Sequence, residues 1–178
     1  AHLIDVAISP DGRWIAGVGN DPRAFVWSPE TFLRDEVVIG APRKGATSAL
    51  NADSSLAAVP NGEAVDLVDT RRMKLLRHIP LRATSQFAAF SGDGDLLVTG
   101  DQSGDVLAWP LSGGPPRARI ELGAQCVPQL IIAEPRTRRV AVHCSDGPLL
   151  WIDLDAAAPP RELGKYPGKL LASFVPTR

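Results

Sequence analysis

The sequence has little that would place it in a membrane, on a nucleic acid or in a disulfide-rich class. No apolar run approaches the roughly 20 residues that a membrane-spanning helix needs. Its 19 Lys and Arg against 20 Asp and Glu leave a net charge of −1, which indicates neither a basic binding surface nor an acidic tail. The only two cysteines, Cys126 and Cys144, are too few for a disulfide framework, and no N-glycosylation acceptor occurs. We therefore expect reduced thiols, a cytoplasmic location, and neither a membrane nor a nucleic acid as partner.

Motifs that carry catalysis or bind cofactors are also missing. The string nearest to a phosphate-binding loop, residues 40–47, places Lys44 before Gly45, so the lysine is not where it would reach a phosphate. His143 and Cys144 are adjacent, and Cys126 could lie near them, which would suit a metal site or a Cys–His nucleophile. Zinc needs about four ligands, so we interpret all three as buried strand residues and expect no metal, no cofactor and no enzymatic activity in this chain.

Two basic stretches could bind an acidic protein or a phosphate backbone. The first contains Arg71, Arg72, Lys74, Arg77, His78 and Arg82, and the second is Arg136-Thr137-Arg138-Arg139. Both fall at predicted strand edges or hairpin turns, where charge keeps an exposed edge soluble. We interpret both as solvated surface.

Glycine and proline are abundant, at 16 residues each, and together they make up about 18% of the chain against a usual ~12%. So many turn residues in a chain of this size favour an all-β fold. A turn sequence recurs with starts 42, 40 and 42 residues apart, at Ser9-Pro10-Asp11-Gly12, Asn51-Ala52-Asp53-Ser54, Ser91-Gly92-Asp93-Gly94 and Ala133-Glu134-Pro135-Arg136. A second marker keeps nearly the same period, at Trp27, Val68, Trp109 and Ile152. Two markers with one period indicate a repeat architecture.

Each repeat has the same internal pattern, which predicts four short strands. An apolar run enters the turn, as at residues 87–90, and a second apolar run follows it. A third run leads to the Trp position after a polar turn that contains Gly or lies next to it. The fourth segment is charged and flanked by proline, as in residues 73–80, which is typical of an exposed outer strand.

Four strands in about 40 residues resemble the WD-repeat family of β-propellers. The third repeat carries the resemblance best, since residues 96–109 follow the family's order of strand, polar turn with Gly, strand and Trp. No Gly-His dipeptide begins any repeat, and the Trp-Asp pair is degraded to Trp27-Ser28, Val68-Asp69, Trp109-Pro110 and Ile152-Asp153. The family's buried network of Asp, His, Ser and Trp is therefore expected to be incomplete in every repeat, as in a divergent member.

The resemblance implies a propeller of four-stranded antiparallel blades, and the repeats predict its boundaries. Blade one covers residues 1–40, blade two 41–82, blade three 83–122 and blade four 123–168, while 169–178 would begin a further blade. Most propellers of this family have seven or more blades, so we expect the remainder in a second chain or in further sequence of the same polypeptide. The alternative is a closed four-bladed ring or a fragment.

For function, the resemblance points to the turns between the second and third strands, which partners of WD-repeat proteins commonly contact. The candidates at these turns are Asn20, Asp21, Asn61, Gln102, Ser103, Ser145 and Asp146. We expect a non-catalytic module that binds a protein partner or senses a ligand, in the manner of bacterial signalling or defence proteins that append such propellers to a separate effector domain. The alternative is a propeller enzyme or small-molecule binder that uses the central channel. Only Asp5 offers a carboxylate on a predicted inner strand, so a channel ring of carboxylates is not indicated. An architectural array that mediates oligomerisation is a third possibility.

Overall fold

A computed structural model describes residues 3–8, 12–19, 23–31, 34–38, 47–123, 125–145, 147–156 and 158–166. Within these ranges the chain has no helix, and the all-β prediction is confirmed. The fifteen strands are β1 Leu3–Ile8, β2 Ile15–Gly19, β3 Arg23–Trp27, β4 Arg34–Val38, β5 Ala49–Leu50, β6 Leu56–Pro60, β7 Gly62–Asp69, β8 Lys74–Phe90, β9 Leu96–Asp101, β10 Asp105–Pro110, β11 Ala118–Glu121, β12 Pro128–Ala133, β13 Arg139–Cys144, β14 Pro148–Asp153 and β15 Arg161–Lys165. The predicted strand at 169–178 lies outside the described residues.

The strands form three sheets in which neighbours in sequence are neighbours in space. Their orders are β1-β2-β3-β4, then β11-β10-β9-β8-β7-β6-β5, then β12-β13-β14-β15, and the pairings whose register is resolved are antiparallel. The chain divides into two compact units, Ala1–Ala88 and Ala89–Arg178. We call each run of four consecutive antiparallel strands a meander: the first is β1–β4, the second β5–β8, the third β8–β11 and the fourth β12–β15, with the long strand β8 shared by the second and third. The first two meanders belong to the first unit, and the third and fourth belong to the second unit.

Strand β8 differs from the prediction, which expected an outer strand at 73–80 and a separate inner strand at 87–90. The structure joins them in one strand of 17 residues, which pairs with β7 from Lys74 to Pro80 and again at Ser85. The physical reason lies in the connecting sequence. Residues 81–86 contain no glycine, so nothing there favours a tight turn and the backbone stays extended.

The turn after the first strand of each meander contains a left-handed residue. The fourth residue of the recurring turn sequence has a positive φ at Gly12, Ser54, Gly94 and Arg136, with angles of 71°, 58°, 83° and 62°. Glycine adopts this conformation with least strain. In the hairpins at Ser54 and Gly94 this residue donates its amide to the first turn residue, whereas in the fourth meander Thr137 makes the equivalent bond to Glu134, so Arg136 lies one residue earlier in its hairpin.

The core of the second unit is centred on β9 and β10, whose side chains are buried on both faces of the sheet. Leu97, Val98, Val106 and Ala108 are all 0% exposed. Burying an aliphatic side chain of this size stabilises the fold by roughly 1.5–3 kcal/mol relative to leaving it in water. On the same strands the indole of Trp109 donates a buried hydrogen bond to Thr99 Oγ1 over 3.1 Å. One contact of the expected Trp-centred network is therefore made in the third meander.

Candidate functional site

The candidate residues lie where each second strand turns into the third. Asn61 lies between β6 and β7, Gln102 and Ser103 between β9 and β10, and Ser145 between β13 and β14. Asn20, Asp21 and Asp146 lie outside the described residues. Because these turns all connect the second to the third strand, the two in the second unit lie at the same edge of their meanders.

The turn at Gln102 and Ser103 is held by the preceding carboxylate. Asp101 Oδ1 accepts hydrogen bonds from the amides of Ser103 at 2.9 Å and Asp105 at 3.2 Å, and also from the Ser103 hydroxyl. Gly104, with a φ of 84°, completes the turn by donating its amide to the Asp101 carbonyl over 3.1 Å. Gln102 and Ser103 are exposed, whereas Asp101 is buried. The Ser103 hydroxyl serves the turn, so the Gln102 side chain is the group presented to solvent.

Residues 122–123 contact this turn and residues 125–127 lead to the one at Ser145, and Cys126 donates its amide to the Gly123 carbonyl over 3.0 Å. Leu122 donates its amide to the Gly104 carbonyl over 2.8 Å, and Ser145 donates its amide to the Val127 carbonyl over 2.9 Å. A Cβ at Gly104 would clash with the carbonyl oxygen of Gly123, so the backbones approach too closely for any other residue there. The structure therefore brings the Gln102 and Ser145 turns onto one hydrogen-bonded framework.

That framework is also cross-linked covalently, which corrects the expectation of reduced cysteines. Cys126 and Cys144 form a disulfide with their Cα atoms 4.8 Å apart. The register explains the pairing, because β12 and β13 are antiparallel strands and Pro128, two residues after Cys126, lies opposite Cys144. The sequence signal for this pairing was the position of the two cysteines, which lie at similar distances before and after the predicted turn at residues 133–136. Because neither thiol is free, the cysteines no longer support the predicted cytoplasmic location.

The prediction of buried strand residues is confirmed for His143 and Cys144, which lie in β13, whereas Cys126 is buried but precedes β12. His143 is 1% exposed, Cys126 5% and Cys144 0%. His143 Nε2 lies 3.0 Å from the carbonyl oxygen of Tyr166, and its Nδ1 is buried and has no hydrogen-bond partner among the described residues. Since both sulfurs are in the disulfide, neither is available as a thiolate ligand or nucleophile.

Asn61 is directed into its own sheet. Its Nδ2 donates to Asp66 Oδ2 over 2.6 Å, and Asp66 Oδ1 lies 2.7 Å from His78 Nδ1. Asp66 is 1% exposed, whereas the His78 side chain is 59% exposed. The buried Asp66 carboxylate contacts both side chains and orients the exposed His78 imidazole. The sequence alone did not indicate this arrangement. Asn61 therefore has the ordinary role of a turn residue, because its side-chain amide donates a hydrogen bond to a buried carboxylate.

The opposite edge of the second unit carries an ion-pair cluster that the sequence analysis took for plain surface. Arg138 pairs with Asp93, with Asp95 Oδ2 at 2.6 Å and with Asp155 Oδ1 at 3.4 Å, and Arg117 also pairs with Asp155. Burial opposes ionisation of Asp93, but hydrogen bonds from Ser91, from the Asp95 amide and from Arg138 outweigh it and lower its pKa. The hydrogen bond to Asp93, followed by that to Asp95, raises the pKa of Arg138.

A shallow cavity of about 350 Å³ adjoins this cluster and is lined by Asp95, Pro110, Ser112, Arg117 and Arg138, among others. Its two arginines already face carboxylates of the protein, so their charge is neutralised before any ligand arrives. The cluster therefore ties two hairpin turns together and offers little attraction to an anion.

Among the residues that the structure describes, no group of three or more His, Cys, Asp or Glu side chains could hold a metal ion. The same residues contain no helix that is long and apolar enough to span a membrane.

Comparisons with known proteins show the fold and no family. No protein-family model matches the chain. No curated protein matches it. The structure is similar to a chain of hydrazine synthase from Kuenenia stuttgartiensis, with a TM-score of 0.77, 15% sequence identity, and coverage of 90% of this chain and 49% of that one. The chain thus spans about half the length of that solved chain, and in all 1421 solved chains match. So widely shared a fold carries no information about chemistry.

Proposed function

We propose that the chain is part of a divergent WD-repeat-like β-propeller, with the four meanders as blades, that acts as a non-catalytic module for binding a protein partner or sensing a ligand. The recurrence of a left-handed turn residue at Gly12, Ser54, Gly94 and Arg136 supports the propeller, as does the Trp109–Thr99 hydrogen bond. Consecutive antiparallel meanders with charged outer strands are the arrangement that blades require. We expect the ring to include blades beyond these four.

The observation that carries the binding role is the construction of the Gln102 turn. The backbone of this turn is fixed by Asp101 and Gly104 and joined to the Ser145 turn through hydrogen bonds of residues 122–123 and 125–127. A loop held on a rigid scaffold presents its side chains without a large ordering cost on binding. Gln102 and Ser145 are therefore the side chains that we assign to partner contact, ahead of Asn61, whose amide is engaged by Asp66.

The disulfide supports a compartment in which disulfides persist, so we propose that the module works outside the reducing cytosol. The bacterial signalling role and the separate effector domain follow from the WD-repeat resemblance and belong to the same proposal. The hydrazine synthase likeness supports the shared fold only.

The test is site-specific photo-cross-linking. A photoreactive phenylalanine analogue replaces Gln102 in one variant and Pro135, an exposed residue of the opposite edge, in the control. We expect a cross-linked partner from position 102 and none from position 135. With that partner purified, the double variant Gln102→Ala, Ser145→Ala should bind at least about tenfold more weakly, a loss of about 1.4 kcal/mol.

Equal cross-linking from both edges, or unchanged affinity of the double variant, would contradict the assigned surface. Stoichiometric metal together with substrate turnover by the purified chain would favour the alternative, a propeller enzyme that uses its central channel.

A further inference from the structure

The fourth strand of the second meander has one edge open to solvent. Among the described strands, β8 has β7 and β9 as its neighbours in the sheet. Strand β7 pairs with β8 from Lys74 to Pro80, whereas β9 follows the hairpin at 91–95 and, with six residues, reaches only the last part of β8. The stretch 74–82, which we call the edge segment, therefore has no described strand on the side away from β7. Backbone N–H and C=O groups along that side are open to a partner.

The edge segment differs in charge from the fourth strands of the other meanders. Residues 70–92 contain no Asp or Glu, although the chain as a whole has a net charge of −1. The other fourth strands each contain a carboxylate, with Asp35 and Glu36 in β4, Glu121 in β11 and Glu162 in β15. Mixed charge is sufficient to keep an outer strand soluble. The interpretation of this stretch as solvated surface therefore accounts for its exposure but not for its single sign of charge.

The two cations at the ends of the edge segment lack a carboxylate partner. Lys74 and Arg82 are exposed and make no ion pair within the part of the chain that the structure describes. His78 lies between them, but its imidazole faces the buried Asp66 carboxylate, so any positive charge on it is balanced within the sheet. In an extended strand, eight residues span roughly 26 Å. The edge segment therefore presents two unbalanced positive charges about that distance apart.

Apolar side chains are exposed between these two cations. Leu75 is 37% exposed and Leu76 50%, and among the described residues they are the only two exposed large hydrophobic side chains that are adjacent in sequence. The register with β7 shifts between Leu75 and Arg77, so Leu76 has no residue opposite it. A β-bulge of this kind turns a side chain out of the regular alternation. An edge that only needed to stay soluble would gain nothing from two exposed leucines.

We propose that the edge segment binds an acidic, extended segment of a partner protein, with carboxylates near Lys74 and Arg82 and an apolar side chain on Leu75 and Leu76. Charge complementarity identifies the occupant as acidic, because its carboxylates supply the counter-charges that the edge segment lacks. The exposed leucines favour a peptide over a nucleic-acid strand, since association with an aliphatic side chain removes apolar surface from water. The span between the cations sets the length of the occupant at about eight residues. This proposal is independent of the turn-edge binding role.

The test measures the binding of labelled peptides to the 178-residue chain by fluorescence anisotropy. The first peptide has glutamates at both ends and leucine and valine between them, over about eight residues. A second peptide has serine in place of leucine and valine, and a third has lysine in place of glutamate. We expect the acidic apolar peptide to bind at least about tenfold more tightly than either of the others. Its affinity should fall as the salt concentration rises.

Charge reversal locates the binding surface. The double variant Lys74→Glu, Arg82→Glu should bind the acidic apolar peptide at least about tenfold more weakly than the parent. The matched control is Arg161→Glu, Lys165→Glu, which changes the net charge equally on another outer strand, β15, and should bind like the parent. Far-ultraviolet circular dichroism verifies that each variant is folded, and Lys74→Ser, Arg82→Ser replaces the charge reversal if that variant is not.

The apolar contact has its own pair of variants. Leu76→Ser should weaken binding of the acidic apolar peptide and leave the weaker binding of the serine-containing peptide unchanged. Leu163→Ser on β15 is the matched control, since Leu163 is 46% exposed and Leu76 50%. We expect the control to bind both peptides like the parent.

Three results would overturn the proposal. The first is no binding of the acidic apolar peptide up to about 100 µM protein. The second is an equal loss of affinity in the two double variants, which would show a response to net charge alone. The third is tighter binding of a single-stranded oligonucleotide of equal charge with the same dependence on Lys74 and Arg82, which would make the edge segment a nucleic-acid surface. The cross-linking result at Gln102 is unaffected by any of these outcomes, so the two proposals fail separately.

Discussion

At the scale of single residues, each hairpin turn contains a left-handed residue even where that residue is not glycine. The fourth turn residue is left-handed in every meander, although two of the four positions carry Ser54 and Arg136 instead of glycine. A left-handed conformation costs a non-glycine residue roughly 1–2 kcal/mol, which packing elsewhere must outweigh. Ser54 and Arg136 therefore carry backbone strain that a glycine would relieve.

Arg136→Gly should stabilise the protein by about 0.5–1 kcal/mol, because it relieves this strain and removes only an exposed side chain. Gly94→Ala is the reverse experiment. A Cβ at Gly94 meets no atom within 4 Å, so its expected cost of about 1–2 kcal/mol is purely conformational. Urea unfolding measures both, and a destabilised Arg136→Gly chain would contradict the argument.

Thr99→Val should destabilise the protein by about 1–3 kcal/mol, because the buried Trp109 indole would lose its acceptor. Thr99→Ser keeps the hydroxyl and loses only a methyl group, so it is the matched control. Hydrogen exchange of the indole N–H, followed by NMR, separates the two: exchange should accelerate in the valine variant and stay slow in the serine variant. Equal exchange in both would show that the hydrogen bond protects nothing.

At the scale of elements, the fourth meander is held together by more than its strand hydrogen bonds. The disulfide joins Cys126, two residues before β12, to the end of β13, and Ser145, the next residue after Cys144, belongs to the proposed binding edge. The covalent link therefore stabilises the same framework that positions the Gln102 and Ser145 turns. In a reducing environment this framework would rely on hydrogen bonds alone.

Removing the disulfide should lower the free energy of unfolding by about 3 kcal/mol, the loop-entropy value for a sequence separation of 18 residues. Urea unfolding with and without dithiothreitol measures the change. The double variant Cys126→Ala, Cys144→Ala is the control and should not respond to the reductant. Free thiols that titrate in the native, oxidised protein would contradict the disulfide.

At the scale of the whole molecule, the net charge is only −1, but the free energy of unfolding should still depend on pH because of Asp93. Hydrogen bonds from Ser91, Asp95 and Arg138 overcome burial and lower the pKa of Asp93 below its value in an unfolded chain. A group whose pKa is lowered by folding stabilises the folded state above its unfolded pKa of about 3.9, and this contribution is lost as the pH falls through the folded pKa. Stability should therefore decline in acid, below about pH 4.

Asp93→Asn tests this dependence because it removes the titrating group. The variant should be less stable than the parent at pH 7, and the difference should shrink as the pH falls and Asp93 of the parent becomes protonated. Thermal unfolding in buffers from pH 7 to pH 3 measures the difference in midpoint. A difference that stays constant over this range would exclude Asp93 as its source.

Much of the architecture was accessible from sequence because it depends on local periodicity. The period-2 apolar runs and the 40- to 42-residue recurrence of turn residues predicted short antiparallel strands and an all-β fold, since alternation determines which face of a strand is buried. The hairpins at 51–55 and 91–95 lie where their turn residues predicted them. The division at 40, 82, 122 and 168 and the further blade at 169–178 stay predictions.

The features that sequence reasoning missed all depend on residues far apart in the chain. Cys126 and Cys144 were expected to be reduced because their number indicated no framework, yet antiparallel pairing of β12 with β13 brings their sulfurs together. Arg138 was interpreted as surface, and only the docking of two hairpin turns surrounds it with Asp93, Asp95 and Asp155. Periodicity along a chain determines strands and turns, whereas partners separated by 17 to 45 residues are decided by tertiary packing, which no local pattern encodes.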